Sequence, residues 1–586
     1  KTNIVYYDKK KMLKVVYIPL NDIFYDYESD YKLKLDFEIS KNYKKDILCL
    51  MQKIDKNIGY SVILIALYQD QYFVYLSRYS TLRFYVYNNN NTLEIFNNVE
   101  LRSYDFSKNT FDLIELENFL LQGYCSSHKT YIKDLYKLVP GQITYTDFNG
   151  QVKYISNSKS FVISNIKYKN TNLINQIKNI FAHLNNEEKI AILFTGGSDS
   201  FFITKLIVEE FPELNIDLLF FKTSLVKSAN IEKDFFRARE MSKKFNIKLK
   251  VIDPFLSEDI LISLLKNIEL MPFDEHYSFL HGGAMRAISS EYDRIITGQN
   301  ADSIYNYGAT GRFSLNKLLN KFSFKGAGLV EILKRYLNSD KSLTKLKKGK
   351  KIILWFLYNF LNKIYNLKKL KYKDFIYIEY IKGFFSQSSY VANFRSDLFK
   401  KINSNHTYEK YLESEAKKMI SIFDTPRELL SNIKLQTFIQ GSDTRVLTEL
   451  IVDSNKVVFP FIEKGVLDYF VTKKNSFADV IFPKKEIYSF NGKIASYKEY
   501  KVKLSDEFLS DKDVLNELNK VLLKSIHRNE IISFINDSFP KGINAEYIIN
   551  NIDLYYNNKI YDTRLFHKVI WLFYSFKIMI EGEEVG

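Results

Sequence analysis

Residues 193–202 read Leu-Phe-Thr-Gly-Gly-Ser-Asp-Ser-Phe-Phe: three hydroxyl side chains, two adjacent glycines and one carboxylate between apolar runs. These residue types suit a polyphosphate. A turn built on Gly196 and Gly197 lets main chain approach a ligand with no Cβ in the way. The first N–H groups of a helix beginning there point at an anion. Thr195, Ser198 and Ser200 add hydroxyl donors. Asp199 is the odd member, because a carboxylate beside phosphates repels them unless a cation stands between. It therefore reads as a Mg²⁺ ligand. The stretch has neither the lysine of a Walker loop nor the glycine spacing of a dinucleotide fingerprint. The plain alternative is a tight strand-to-helix turn in which the helix dipole favours Asp199.

The elements that must hold this loop follow from the patterning around it. "KIAILF" before it is a short, continuous apolar run and "SFFITKLIVEEF" after it has helical period. "DLLFF", "DFFRAREMSKKFN", "KLKVIDPF", "SEDILISLLKNI" and "SEYDRIITGQ" continue the alternation. Fully apolar strands alternating with helices predict a parallel sheet buried on both faces. The loop then lies at the carboxyl edge of a strand, where such sheets bind ligands.

Upstream, residues 1–165 alternate with period two in "KVVYIPL", "YSVILIALY", "QYFVYLSRY" and "GQITYTDFNGQVKYI", with "NNNN" and "DFNG" at hairpin positions. "FDLIELENFLLQGY" breaks that rhythm with helical spacing, so a few helices are expected beside the strands. A sheet-rich α+β domain over 1–165 and an α/β domain over 166–586 are expected. A basic, aromatic, mostly helical insert interrupts the second at about 313–400. The remainder reads as helical, clearest in "VVFPFIEKGVLDYF" and "RLFHKVIWLFYSFKIMI".

Composition narrows the classes. A chain of 586 residues exceeds one core, and 46% apolar content with nine prolines is globular. Two cysteines, Cys49 and Cys125, exclude a disulfide framework and fit a reducing cytoplasm. Seven scattered histidines show no zinc spacing. No charge-free apolar run is long enough to span a bilayer. The net charge of +16 gathers in the insert, whose "IILWFLYNFLNKIYNL" core has helical spacing. A packed or membrane-peripheral helix accounts for it more simply than nucleic-acid binding. The oligomeric state stays open.

TGGSDS resembles the SGGxDS pyrophosphate loop of the asparagine synthetase family of ATP pyrophosphatases, which includes β-lactam synthetases and lasso-peptide cyclases. "IITGQNADSIYNYG", about a hundred residues on, resembles the family's strand and SGEGADE segment. "LSRYSTLRFYVY", "FLLQGYCSSHKTYIKDLYKLVPGQITYTDFNGQV" and "SDTRVLTELIVDSNKVVFPFIEKGVLDYF" are similar to further family segments, so the likeness runs through most of the chain outside the insert. It implies an Ntn-hydrolase-like sandwich of the glutamine amidotransferase type, followed by an ATP-pyrophosphatase domain. It also implies that Asp302 is a second Mg²⁺ ligand beside Asp199, that Thr297 and Gly298 touch the nucleotide, and that adenine lies near Leu193 and Phe221. Lys484 or Lys485 takes the place of the family lysine on pyrophosphate, and Glu232 that of an acid before the next helix. The implied reaction uses ATP and Mg²⁺ to adenylate a small-molecule or peptide carboxylate, then transfers the acyl group to an amine or ammonia.

Two departures qualify it. The chain starts Lys-Thr-Asn rather than with the catalytic cysteine of glutamine-dependent members, and both cysteines read as structural. A dead glutaminase scaffold is expected, unless a longer native terminus carries the cysteine. Gln299 stands where the family has a glutamate or tyrosine that helps deprotonate the amine, and an amide cannot act as a base. Either another acid does that work, the amine arrives neutral, or the chain is a silent nucleotide-binding scaffold.

Overall fold

The computed structural model describes residues 3–8, 13–19, 42–57, 62–69, 71–77, 80, 84–89, 92–96, 111–122, 125, 129–146, 152–155, 172–222, 229–253, 284–285, 287–301, 401, 456–472, 484–492, 520, 523 and 526–581. The insert at 313–400, the "SEDILISLLKNI" stretch and Asp302 lie outside the described residues.

The amino-terminal strands are β1 (Asn3–Asp8), β2 (Leu13–Pro19), β3 (Val62–Tyr68), β4 (Gln71–Leu76), β5 (Tyr85–Asn89), β6 (Thr92–Phe96), β7 (Leu135–Lys137), β8 (Ile143–Thr146) and β9 (Val152–Ile155). They form a six-stranded antiparallel sheet in the order β1-β2-β3-β4-β8-β9 and a three-stranded one in the order β6-β5-β7. The period-two pattern sorts side chains to opposite faces. Leu64, Ala66, Phe73 and Tyr75 pack under helix α1 (Tyr43–Asn57), through Ile47, Met51 and Ile54. Ile63, Val74 and Leu76 point the other way, to Val86 and Leu138 of the small-sheet side. The turns predicted from "NNNN" and "DFNG" join antiparallel pairs, with Asn89 facing Thr92 and Thr146 facing Val152.

Helix α2 (Leu113–Gln122) shares its core with three carboxyl-terminal helices, given below.

The second sheet is parallel throughout. Helix α3 (Leu173–Phe181) leads to β10 (Lys189–Leu193), α4 (Ser198–Glu210), β11 (Asn215–Phe221), α5 (Ala229–Ser242) and β12 (Leu249–Ile252). Further on come β13 (Arg294–Thr297) and β14 (Val457–Val458). The strand order is β12-β11-β10-β13-β14. Ile190, Ala191 and Ile192 of β10 are fully buried, as a central strand covered on both faces must be.

"VVFPFIEKGVLDYF" corrects the helical expectation. Its first two residues form β14, paired with Ile295 and Ile296 of β13, and the helix α6 begins only at Lys464 and runs to Thr472. Two residues are too short to show a period, so only the neighbouring strand reveals their state. Helix α7 (Lys485–Asn491) packs on α4, with the Phe202 and Phe490 rings 5.2 Å apart.

The chain closes with α8 (Arg528–Ser538), α9 (Ala545–Tyr556) and α10 (Thr563–Glu581). Their apolar faces, from Phe534, Ile548 and Trp571, form one cluster with Leu116, Phe119 and Leu120 of α2 and with Tyr131 and Leu135. Among the described residues no helix is long and apolar enough to cross a membrane.

Candidate functional site at the carboxyl edge of the parallel sheet

The strand order reverses at β10. From it the chain steps to β11 and β12 on one side, then returns to β13 on the other. The crevice between β10 and β13 is therefore a topological switch point, where open α/β sheets bind ligands. Leu193, the last residue of β10, pairs in register with Thr297, the last of β13. The loop at 194–197 and the segment at 298–300 thus leave the same edge side by side.

Gly196 adopts φ +67°, the left-handed region, and a Cβ there would lie 2.8 Å from the backbone of Ala238 in α5. The glycine makes room for a helix, where the sequence suggested room for a ligand. Gly197, at φ −70°, is the N-cap of α4. Having no side chain, it gives the first amides of α4 no side-chain cap. A Cβ on Gly298 would lie 3.0 Å from the Ser200 nitrogen, so this glycine lets the β13 loop press against the first turn of α4.

Much of the hydroxyl set is engaged within the loop. Ser200 Oγ donates to the Gly197 carbonyl at 3.3 Å and lies 3.5 Å from Thr195 Oγ1. Ser198 Oγ donates to Asp199 Oδ1 at 3.1 Å. Thr297 Oγ1 accepts the Gln299 N–H at 3.1 Å, which closes the turn after β13. Of the three hydroxyls in the loop, Thr195's is on an exposed residue, while Ser198 and Ser200 are buried. Leu193 and Phe221 are half-buried at the ends of adjacent strands β10 and β11.

Asp199 lies in the first turn of α4, and its Oδ2 accepts from Lys484 Nζ at 2.6 Å. The two side chains are 19% and 7% exposed. Lys484 is the N-cap of α7 and is itself left-handed, at φ +64°. Asn491, fully buried at the far end of α7, donates from Nδ2 to the Ser198 carbonyl at 2.9 Å. Lys205 of α4 donates to the Phe490 carbonyl at 2.6 Å. One helix thus carries the lysine and is bolted to the helix that carries the acid. Of the two lysines raised by the sequence, Lys484 enters this edge; Lys485 opens α7, and its side chain is outside the described set.

Glu232 is in the first turn of α5 rather than before the helix, ion-paired with Lys222 at 2.8 Å just past the end of β11. Arg237 was missed. Its Nε donates to the Thr195 carbonyl at 3.2 Å and its Nη2 pairs with Asp234 at 2.8 Å. Nothing in "FFRARE" sets it apart from Arg239; the neighbouring loop does.

The cysteines occupy different settings. Cys125 is buried and burial, reinforced by Glu115, pushes its thiol far above the ordinary range. Cys49 sits exposed on α1, which corrects the expectation of a structural, packed residue there.

Mg²⁺ can be tested against the residues present. The Lys484 ammonium already occupies a cation's position on the Asp199 carboxylate, and the nearby hydroxyl and carboxylate oxygens are hard donors suited to Mg²⁺. No cluster of three His, Cys, Asp or Glu side chains that could hold a metal occurs among the described residues.

No protein-family model matches the chain, and no curated protein matches it. Among solved structures it is similar to a U34-tRNA thiolase, NcsA from Methanococcus maripaludis with its 4Fe-4S cluster, at 16% identity over 43% of this chain and 80% of that chain, with a TM-score of 0.18. At that score the likeness carries no weight, and the architecture is read from the chain's own topology.

Proposed function

We propose that this chain is an ATP-dependent carbon–nitrogen ligase that forms AMP and pyrophosphate, built on an ATP-pyrophosphatase domain of the asparagine synthetase kind. The observation that carries this reading is the meeting, at the switch point of a parallel sheet, of an uncapped helix N-terminus, Asp199 and the buried Lys484. Residues 195–200 belong to the motif that resembles the pyrophosphate loop, and Thr297–Gly298 to the second motif of that family.

The opening amides of α4 receive the β- and γ-phosphates of ATP. Adenine lies along the strand ends at Leu193 and Phe221. A carboxylate oxygen of the acid substrate attacks the α-phosphorus, and the bond from that phosphorus to the pyrophosphate oxygen breaks. Lys484 neutralises the negative charge that grows on the departing group. Asp199, with Asp302 as the family resemblance implies, would hold Mg²⁺, which when bound withdraws charge from the phosphate oxygens. An amine nitrogen then attacks the acyl carbon of the adenylate, and AMP leaves. The Gln299 amide cannot accept the amine's proton, so the nucleophile arrives neutral or loses it elsewhere.

The amino-terminal sheets serve as scaffold in this reading, and Cys125 is buried there with its thiol held protonated. The acid is a small molecule or peptide, and the amine is free or supplied as ammonia.

Incubation with ATP, Mg²⁺ and a panel of carboxylic acids, followed by nucleotide chromatography, tests the reading. AMP and pyrophosphate in equal amounts are expected, with exchange of labelled pyrophosphate into ATP. ADP as the sole product refutes it. ATP binding with no exchange for any acid supports a silent nucleotide-binding scaffold instead.

A further inference from the structure

The main chain ahead of the two glycines is held from two sides. Phe194 N–H donates to the Leu219 carbonyl at 2.8 Å, which carries the pairing with β11 one residue past the end of β10. The Thr195 carbonyl then accepts from Arg237 Nε at 3.2 Å, a side chain of α5 that comes 42 residues later. Gly196 follows, at φ +67°.

A glycine accepts either sign of φ, so the peptide between Thr195 and Gly196 can turn over with little movement of its neighbours. A side chain at 196 would restrict that turn, and the Ala238 backbone, 2.8 Å from where a Cβ would sit, leaves no room for one. The orientation therefore has to be imposed from outside the loop. In a planar trans peptide the C=O and N–H point opposite ways. Holding the Thr195 carbonyl towards Arg237 turns the Gly196 N–H away from it. Released, the same peptide is free to present its carbonyl, the negative end of its dipole, to an anion.

We infer that Arg237 is a positioning residue of the nucleotide loop, which fixes the Thr195–Gly196 peptide with its N–H towards the polyphosphate and its carbonyl away. The inference rests on the nucleotide site proposed above and adds a residue that lies in neither of the two motifs. Nη2 of Arg237 is ion-paired with Asp234 at 2.8 Å, about one turn earlier on α5, and because the guanidinium is planar this second hold aims Nε. The next residue, Ala238, is the one packed against Gly196. Two consecutive residues of α5 thus set the room at 196 and the direction of the peptide before it.

Equilibrium dialysis with adenosine, and separately with α,β-methylene-ATP and Mg²⁺, distinguishes this role from a general structural one, because adenosine has no phosphate for the loop to hold. Arg237→Met should weaken the analogue about tenfold, the worth of one hydrogen bond to a charged group, and leave adenosine affinity unchanged. Asp234→Asn, which loosens the guanidinium, should weaken the analogue roughly two- to fivefold. In the Arg237→Met background it should have no further effect. Circular dichroism of each variant reports on folding. Unchanged analogue affinity in Arg237→Met overturns the inference while the nucleotide site stands. Equal losses for adenosine and the analogue make Arg237 a structural residue and overturn it too. Tighter analogue binding by Asp234→Asn shows the guanidinium meeting the phosphates itself, relieved of a neighbouring negative charge, and overturns the positioning role. If wild type binds neither probe, the nucleotide site is refuted and this role with it.

Discussion

Gly196 and Gly197 are neighbours with different physical duties. A side chain at 196 would combine a left-handed backbone with a 2.8 Å contact to the backbone of Ala238, whereas a Cβ at 197 meets only Thr195 Oγ1 at 3.3 Å. Gly196→Ala should therefore lower stability by about 2–4 kcal/mol, from backbone strain plus overpacking. Gly197→Ala should cost under about 1 kcal/mol, since its φ is ordinary and one hydroxyl can rotate. Urea unfolding of the two variants side by side checks this; equal losses would mean that α5 does not set the loop. The glycine pair was legible as a sharp strand-to-helix turn, but its reason was not, because Ala238 lies 42 residues further on and only tertiary packing brings it back. The same holds for Arg237 at the Thr195 carbonyl. The acid and the lysine were visible as residue types; their pairing was not, since no local pattern links positions 285 residues apart.

Among elements, the alternation of apolar runs and helical periods from 189 to 297 made the parallel sheet legible. β14 escaped because a two-residue strand is defined by its partner. Helix α7 positions Lys484, and Asn491 is its bolt. Asn491→Ala deprives the Ser198 carbonyl of a buried partner and should destabilise by about 1–3 kcal/mol. It should also weaken nucleotide binding, read by titration calorimetry, whereas a purely structural role for Asn491 would leave affinity intact in the folded fraction. At the head of α6, burial pushes the Glu463 carboxyl from 4.5 up to about 7, against a weaker downward pull from the Lys464 N–H. The folded chain keeps this proton to about pH 7 while the unfolded chain releases it near 4.5, so the stability this group contributes falls as pH rises through that window. Glu463→Gln, neutral at every pH, should flatten that part of the stability profile measured by thermal melts from pH 4 to 8. An unchanged slope would place the titration in another group.

At the scale of the whole molecule, the last three helices share an interior with α2, more than 400 residues earlier in the chain. Trp571, fully buried in α10, lies in one apolar cluster with Phe119 of α2, and the Phe111 and Phe534 rings sit 6.4 Å apart at right angles. Trp571→Ala should cost about 3–5 kcal/mol, and hydrogen exchange should show α2 and β7 losing protection together with α8 to α10. Retained protection in α2 would make the two regions independent. Periodicity marks the faces of these helices as apolar and says nothing of what covers them, so their packing on α2 is not legible in the sequence. The distance along the chain between Asp199 and Lys484 also sets a timetable for biosynthesis. At ribosomal speeds of about 5–20 residues per second, roughly 15–60 s pass between emergence of the acid and of its counter-ion. For most of that interval the nascent sheet lacks β14, one of its two edge strands, and throughout it lacks the helix whose Phe490 ring packs on Phe202, a span in which a chaperone would find an apolar edge to shelter.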